Sequence, residues 1–392
     1  MVGRRDAAIA AGYAAYFGAI GVFQPFFPVH LAALGFGAID IGIALAAWNA
    51  LRIVSPLGIA WLADAQADRR PLLAGFAFAA VLASLGLLAA TSLAGVVLGM
   101  AALSLCLNGL MPVYDAHTLE TLGTEAHRYG RLRLFGSIGF VASSVGVGAL
   151  IARDGAAVIR PAFVGLLFLT ALVVLALPPS GTGVRLKPLR GEFRAALRRP
   201  AVGLLVLIVF LQIAGFGGYY GFYSLYLARA GYAPDTIGLF WAVGVVAEIA
   251  LFAVVPRLLT RVAPTRLLQW ALAGSVLRWL VIAAWPGVPA LLLGAQILHF
   301  AGFGLFHAVT VQLGPSLLPA GSAARAQALL SSLGWGAGGM AGSLLAGELW
   351  EALGPRTVFL AGAALAAMAW WVAARRLPRA ISGAREAPRA GG

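Results

Sequence analysis

This chain is poor in the groups from which soluble enzymes build their sites. Among 392 residues there is one cysteine, Cys106, and one lysine, Lys187. A single cysteine excludes an intramolecular disulfide and any CxxC-type metal site. Lys187 is followed by Pro188, whereas a phosphate-binding loop needs Gly-Lys-Ser/Thr, so the chain is not its own ATPase. HExxH and GxSxG are both missing, and the five histidines form no metal-ligand pairs. No metal and no cofactor are therefore expected, and an enzyme is the least favoured reading. Any work must draw on a gradient or on a partner.

Charge is scarce too. Only 11% of the residues are charged, 61% are hydrophobic, and the mean hydropathy is +0.91. No soluble core of this size needs so much apolar surface, so the bilayer is the solvent. About 20 apolar residues cross about 30 Å of hydrocarbon. Twelve such spans are expected, at roughly 7–34, 38–63, 71–90, 94–122, 131–152, 158–177, 200–228, 236–256, 266–285, 288–315, 325–347 and 355–374. The first is too long, and too well matched to the second half, to be a cleaved signal.

The net charge of +14 could indicate nucleic acid, but its placement argues for a membrane. With a cytoplasmic N-terminus, 22 of the 28 Lys and Arg fall on the cytoplasmic side or at its interface. That follows the positive-inside rule and predicts cytoplasmic N- and C-termini. Four segments are read from the chain: a six-helix half over 1–177, a cytoplasmic linker over 178–199 with a short surface helix near 191–199, a six-helix half over 200–376, and a disordered, Arg-rich tail over 377–392. The expected partners are the lipid bilayer, a small-molecule substrate and protons, with no nucleic acid; a monomer in a bacterial-type inner membrane is expected.

The two halves repeat each other. At an offset of 196 residues, Gly21, Phe26, Leu31, Ala32, Gly35, Ile41 and Gly42 recur as Gly217, Phe222, Leu227, Ala228, Gly231, Ile237 and Gly238. Two parallel, pseudo-symmetric six-helix halves, all α, are the architecture of a secondary transporter.

Ionisable residues within the spans mark function, because a mid-bilayer charge costs about 2.5–3.5 kcal/mol by insertion scales. The offset maps Arg52 in span two onto Glu248 in span eight. They read as a cavity-facing pair, with a structural salt bridge between the halves as the alternative. Arg278 lies mid-span in helix nine, and His299 and His307 lie on roughly one side of helix ten; packing histidines are the alternative. Asp115 in span four and Arg133 at the start of span five are expected at similar depth, either in the cavity or simply joining two helices. Tyr16 and Gln24 in span one, and Tyr219, Tyr220 and Tyr223 in span seven, read as cavity wall. An interfacial aromatic belt is the preferred reading for Tyr226 and Tyr232.

These stretches resemble the major facilitator superfamily over essentially the full length. Within it, the chain is most similar to the 3-phenylpropionic acid transporter group, a relative of lactose permease and the nucleoside:proton symporters. The carrying stretches are Ala-Leu-Arg52, Tyr129-Gly130-x-x-Arg133-x-x-Gly136-Ser137, Tyr219-Tyr220-Gly221-Phe222, Gly244-Val245-Val246-Ala247-Glu248, Arg278-Trp279, and Gln296-Ile297-Leu298-His299 through His307. Two features depart from that pattern. In the loop after span two, Asp64, Arg69 and Arg70 fit the superfamily signature, which implies a gating or structural role, but Ala60, Ala65 and Ala67 replace Gly, a basic residue and Gly; and helix ten holds no acid beside its histidine. The resemblance implies proton-coupled uptake of a small organic substrate such as an aromatic carboxylate. Glu248 is then the expected proton carrier, with Asp115, His299 and His307 as further candidates. Arg52, Arg278, the cavity tyrosines, Gln24 and His299 are the expected substrate contacts. A proton-coupled drug efflux antiporter is the alternative; a non-transporting sensor or assembly factor on the same scaffold ranks below it.

Overall fold

The computed structural model describes residues 3–64, 68–179, 197–319 and 323–386. Among them there is no strand. The helices are α1 (Arg4–Ala33), α2 (Ala38–Asp64), α3 (Arg70–Ala89), α4 (Leu93–Leu122), α5 (Tyr129–Asp154), α6 (Ile159–Leu175), α7 (Pro200–Arg229), α8 (Pro234–Arg261) and α9 (Pro264–Ala284). Next come α10, built of Pro289–Ile297, a π-helical segment Phe300–Leu305 and Phe306–Ser316, and α11, built of Ala323–Leu329, a π-helical segment Leu330–Ala337 and Gly338–Leu353. The chain ends with α12 (Pro355–Arg375) and α13 (Leu377–Glu386). Ten helical stretches among the described residues are long and apolar enough to cross a membrane. One of them, Leu93–Asp154, contains both α4 and α5, and α11 is not among them.

The sequence repeat is a structural repeat. α1 and α7 end in the same glycine turn. Phe36 N donates to Leu31 O at 3.2 Å and Gly35 N to Ala32 O at 3.0 Å; Tyr232 N donates to Leu227 O and Gly231 N to Ala228 O, both at 3.1 Å. Gly35 and Gly231 sit at φ of 91° and 90°. This closure satisfies the last carbonyls of the helix and places one residue in the left-handed region, where a Cβ is strained. Leu, Ala and Gly recur at this spacing because the turn uses each of them.

Packing repeats in the same way. α1 lies on α5 and α6, and α2 on α4; α7 lies on α11 and α12, and α8 on α10. The halves join where α2 meets α11 and α5 meets α8. Small residues make both seams. A Cβ on Gly42 would stand 2.8 Å from Ser343 O, and one on Gly347 would stand 2.8 Å from Ala38 O. On the other seam, a Cβ on Gly148 would stand 2.6 Å from Pro234 O, and Gly238 rests on Ser144. Such glycines let helix backbones approach closely inside lipid. All four contacts lie toward the end of the bundle that holds the two glycine turns.

The opposite, basic end is held by ion pairs. Asp6 pairs with Arg5 at 3.0 Å and with Arg128, and Glu125 pairs with Arg5 at 2.6 Å and Arg128 at 3.0 Å. Arg69 pairs with Glu120, tying the loop before α3 to the end of α4. Arg70 pairs with Asp68 at 2.8 Å, and its guanidinium holds the Asp68 carboxyl below the usual carboxylate range. The side chain of Asp64, most of the 178–199 linker with Lys187, and the end of the tail lie outside the described residues. The beginning of the tail departs from expectation: Leu377–Glu386 is helical rather than disordered. Its apolar side supplies the reason, since Leu377 is fully buried and Ile381 packs beside it.

Candidate functional site

The polar centre of the bundle lies in the second half, between α7, α8, α9 and α10. Gly244 on α8 leaves room for it: a Cβ there would stand 3.3 Å from both Gln296 Oε1 and His299 Cδ2. One turn further along α8, Glu248 Oε1 lies 2.8 Å from His299 Nε2. The imidazole stacks on Phe303 with centroids 5.3 Å apart and planes 12° apart. His299 Nδ1 has no hydrogen-bond partner.

Arg278 is 0% exposed and has no carboxylate. Its Nη2 donates to Gln296 Oε1 at 3.2 Å, an oxygen that also accepts from the Tyr219 hydroxyl at 3.1 Å. Its remaining surroundings are rings: Tyr219 at 4.1 Å, Trp279 at 4.4 Å and Phe216 at 5.5 Å from the guanidinium carbon. Among the described residues, Arg278 Nε and Nη1 find no hydrogen-bond partner, while the Gln296 amide and the Tyr223 hydroxyl lie beside each other without a fully formed bond. Cation–π contacts hold a guanidinium in place but supply no negative charge. The cluster thus has spare donors and an uncompensated cation, which suits a planar anion. Beneath it, Gln212 donates to Ser275 Oγ at 2.6 Å and to Gly302 O, in the π segment of α10, at 2.9 Å.

The first half contributes Arg52. It lies 5.6 Å from the Trp335 ring on α11, with Tyr16 and Tyr220 as its electrostatic neighbours. Tyr16 donates to Leu107 O at 3.1 Å, and Gln24 is half-buried. Arg52 and Glu248 make no salt bridge; each has a different neighbour, so the structural-bridge alternative finds no support in the geometry. Asp115 accepts from the Tyr13 hydroxyl at 2.7 Å. Arg133 stacks 3.8 Å over Phe17 and 5.5 Å from the Tyr13 ring rather than pairing with Asp115. Both touch Tyr13, so they stand at similar depth as expected, but the guanidinium lies against aromatic faces on α1 instead of the carboxylate.

The family model of the MFS_1 like family matches residues 7–361. The chain belongs to the MFS_1 like family. A probable 3-phenylpropionic acid transporter of Escherichia coli (strain K12) is 28% identical over 349 residues, covering 88% of this chain and 91% of the relative. The maltose permease of Geobacillus stearothermophilus is 28% identical over 294 residues, covering 74% of each chain. The nucleoside transporter NupG has the same fold, with a TM-score of 0.83 at 15% identity over 94% of this chain and 98% of that one. Its D323A mutant superposes with a TM-score of 0.85 at 14% identity over the same shares. This MFS_1 like protein is therefore a multi-pass membrane protein of transporter type with the all-α major facilitator fold.

Within this family member, the structure brings together Arg278, Tyr219, Tyr223, Glu248 and His299 of the expected residues. Tyr220 completes the wall beside Phe216, with centroids 5.7 Å apart. His307 stands apart from Glu248, edge-on to Trp335 at 5.9 Å. The π segment between the two histidines inserts a wider turn, so an eight-residue spacing no longer puts them on one line. Tyr226 is not an interfacial belt residue: it is buried and donates to Ala283 O at 3.2 Å. Sequence reasoning missed Gln296 as the partner of Arg278. The signal was present, since Gln296 lies one helical turn before His299. Phe303 and Trp335 were missed as well, and their roles depend on the π segments.

Proposed function

We propose that the chain is a proton-coupled symporter of a small organic anion, an aromatic carboxylate in the first instance, working by alternating access. The observation that carries the reading is the site's composition: buried Arg278 with unpartnered donors and aromatic walls, one helix away from a Glu248–His299 contact. An anion supplies the charge that Arg278 lacks, and an aromatic ring matches its walls. Glu248 is the group that changes charge between the two access states, since a buried carboxyl beside an imidazole can hold a proton or release it. Arg52, on the opposite half, is the second anion contact. Two intramembrane arginines weigh against a cationic drug as substrate.

In this reading both termini are cytoplasmic, the basic end faces the cytoplasm, and the chain works as a monomer in a bacterial-type inner membrane. The probable 3-phenylpropionic acid transporter among its relatives supports the choice of first substrate. The test is uptake into proteoliposomes under an imposed pH gradient, across aromatic acids, sugars and nucleosides. Accumulation of an aromatic acid that collapses when the gradient is dissipated is the expected result. Uptake of a sugar or nucleoside with no response to the acids would overturn the substrate class.

A further inference from the structure

Arg52 has a weak hold on its position. Among the described residues it makes no ion pair and no hydrogen bond; its guanidinium stands 5.6 Å from the Trp335 ring, with Tyr16 and Tyr220 as electrostatic neighbours. A long, unpaired arginine samples many rotamers, and binding an anion through it costs that freedom. Trp335, by contrast, is fixed on two further sides. It stands edge-on to Phe303 at 5.4 Å and 87°, and edge-on to His307 at 5.9 Å and 83°. Its chain neighbour Gly336 brings α11 against α2 at this level: a Cβ there would stand 2.9 Å from Ile53 N and 3.2 Å from Arg52 C. The indole also lies within the π segment Leu330–Ala337, and a one-residue change of register would turn it by about 100° about the helix. At the repeat offset of 196 the first half has Gly139, so this ring has no counterpart there. The contacts run without a break from Glu248 through His299, Phe303 and Trp335 to Arg52.

We propose that Trp335 is a positioning residue that sets the Arg52 guanidinium for the substrate's anionic group and ties it, through Phe303, to the Glu248–His299 side of the site. The inference rests on the reading that Arg52 contacts an anion. It adds a residue that touches no substrate charge yet determines affinity for charged substrates.

The test compares counterflow of 3-phenylpropionate with that of its uncharged amide, 3-phenylpropanamide, in proteoliposomes of wild type, R52A, W335A, W335F and the R52A/W335A double variant. W335A and R52A each raise the KM of the acid about tenfold with maximal rate retained, and the amide's KM is unmoved. W335F, which keeps a ring for both contacts, stays within about threefold of wild type. The double variant is no worse than R52A alone, because the two act as one unit. An unchanged acid KM in W335A beside a raised one in R52A overturns the proposal and leaves the anion reading standing. An unchanged acid KM in R52A overturns the reading of Arg52 itself. Acid and amide shifted alike by W335A would make Trp335 a plain wall, which also overturns the proposal. Should the wild type carry neither probe, tryptophan emission decides: R52A must shift it in the wild-type background and not in W335F, and equal shifts in both sink the idea.

Discussion

Arg278 is the residue whose physics is most constrained. A cation that is 0% exposed, inside lipid and without a carboxylate, destabilises the fold that holds it. Replacing such a group by an apolar side chain of similar length is often neutral or stabilising. Arg278→Met is therefore expected to leave the melting temperature in detergent unchanged or raised. It should also weaken binding of an aromatic acid about 10- to 100-fold, the worth of a charge-assisted hydrogen bond. A variant that melts far lower would mean that Arg278 is a packing residue. Glu248→Gln keeps the shape and removes titration. Gradient-driven accumulation is expected to disappear while counterflow persists, and measuring both in the same vesicles separates coupling from binding; normal accumulation would remove Glu248 as proton carrier. The intramembrane charges were legible in the sequence because their cost makes them conspicuous. Their partners were not, since Glu248 meets His299 and Arg133 meets Phe17 through tertiary packing that no spacing encodes.

At the scale of helices, glycine placement carries the architecture and, under the proposed alternating access, the motion. The glycine turns after α1 and α7 were readable because one backbone conformation requires Leu, Ala and Gly at fixed spacing. The seams between halves were readable only in hindsight. Gly42 and Gly238 are part of the repeat, but that they face Ser343 and Ser144 across the molecule depends on how the halves dock. The π segments in α10 and α11 were illegible, since nothing in FAGFGL or LSSLGWGA announces a wider turn. Alternating access needs these seams to part and close again. Gly42→Val puts an isopropyl group, a Cβ with two methyls, into the α2–α11 seam, where overpacking costs about 1–3 kcal/mol. The expected outcome is a bundle biased open at the turn end: a cysteine placed at Asn49, beside that seam, reacts faster with a polar thiol reagent in the Gly42→Val background. Unchanged reactivity would show that the seam tolerates the wedge.

For the whole molecule, the distribution of charge predicts which end faces the cytoplasm. The ion pairs of Asp6, Glu120 and Glu125 with Arg5, Arg69 and Arg128 all gather at one end of the bundle, beside the starts of α1, α3 and α5. The two glycine turns lie at the other end, which carries few basic residues. Insertion leaves Lys and Arg on the cytoplasmic side, so the proposed orientation puts the basic end in the cytoplasm and the glycine turns in the periplasm. Both halves must obey this together, because a parallel repeat of six spans returns the chain to the side where it began. In a Cys106→Ser background, a cysteine at Thr124 should resist a membrane-impermeant maleimide in intact cells and react once the membrane is opened. A cysteine at Ala230 should react in intact cells. Thr124 and Ala230 are both exposed, so burial cannot mimic sidedness. The reverse pattern would invert the protein, and with it the direction in which a pH gradient loads Glu248. Labelling at both positions in intact cells would instead mean mixed insertion, and the charge asymmetry would then be too weak to orient the chain.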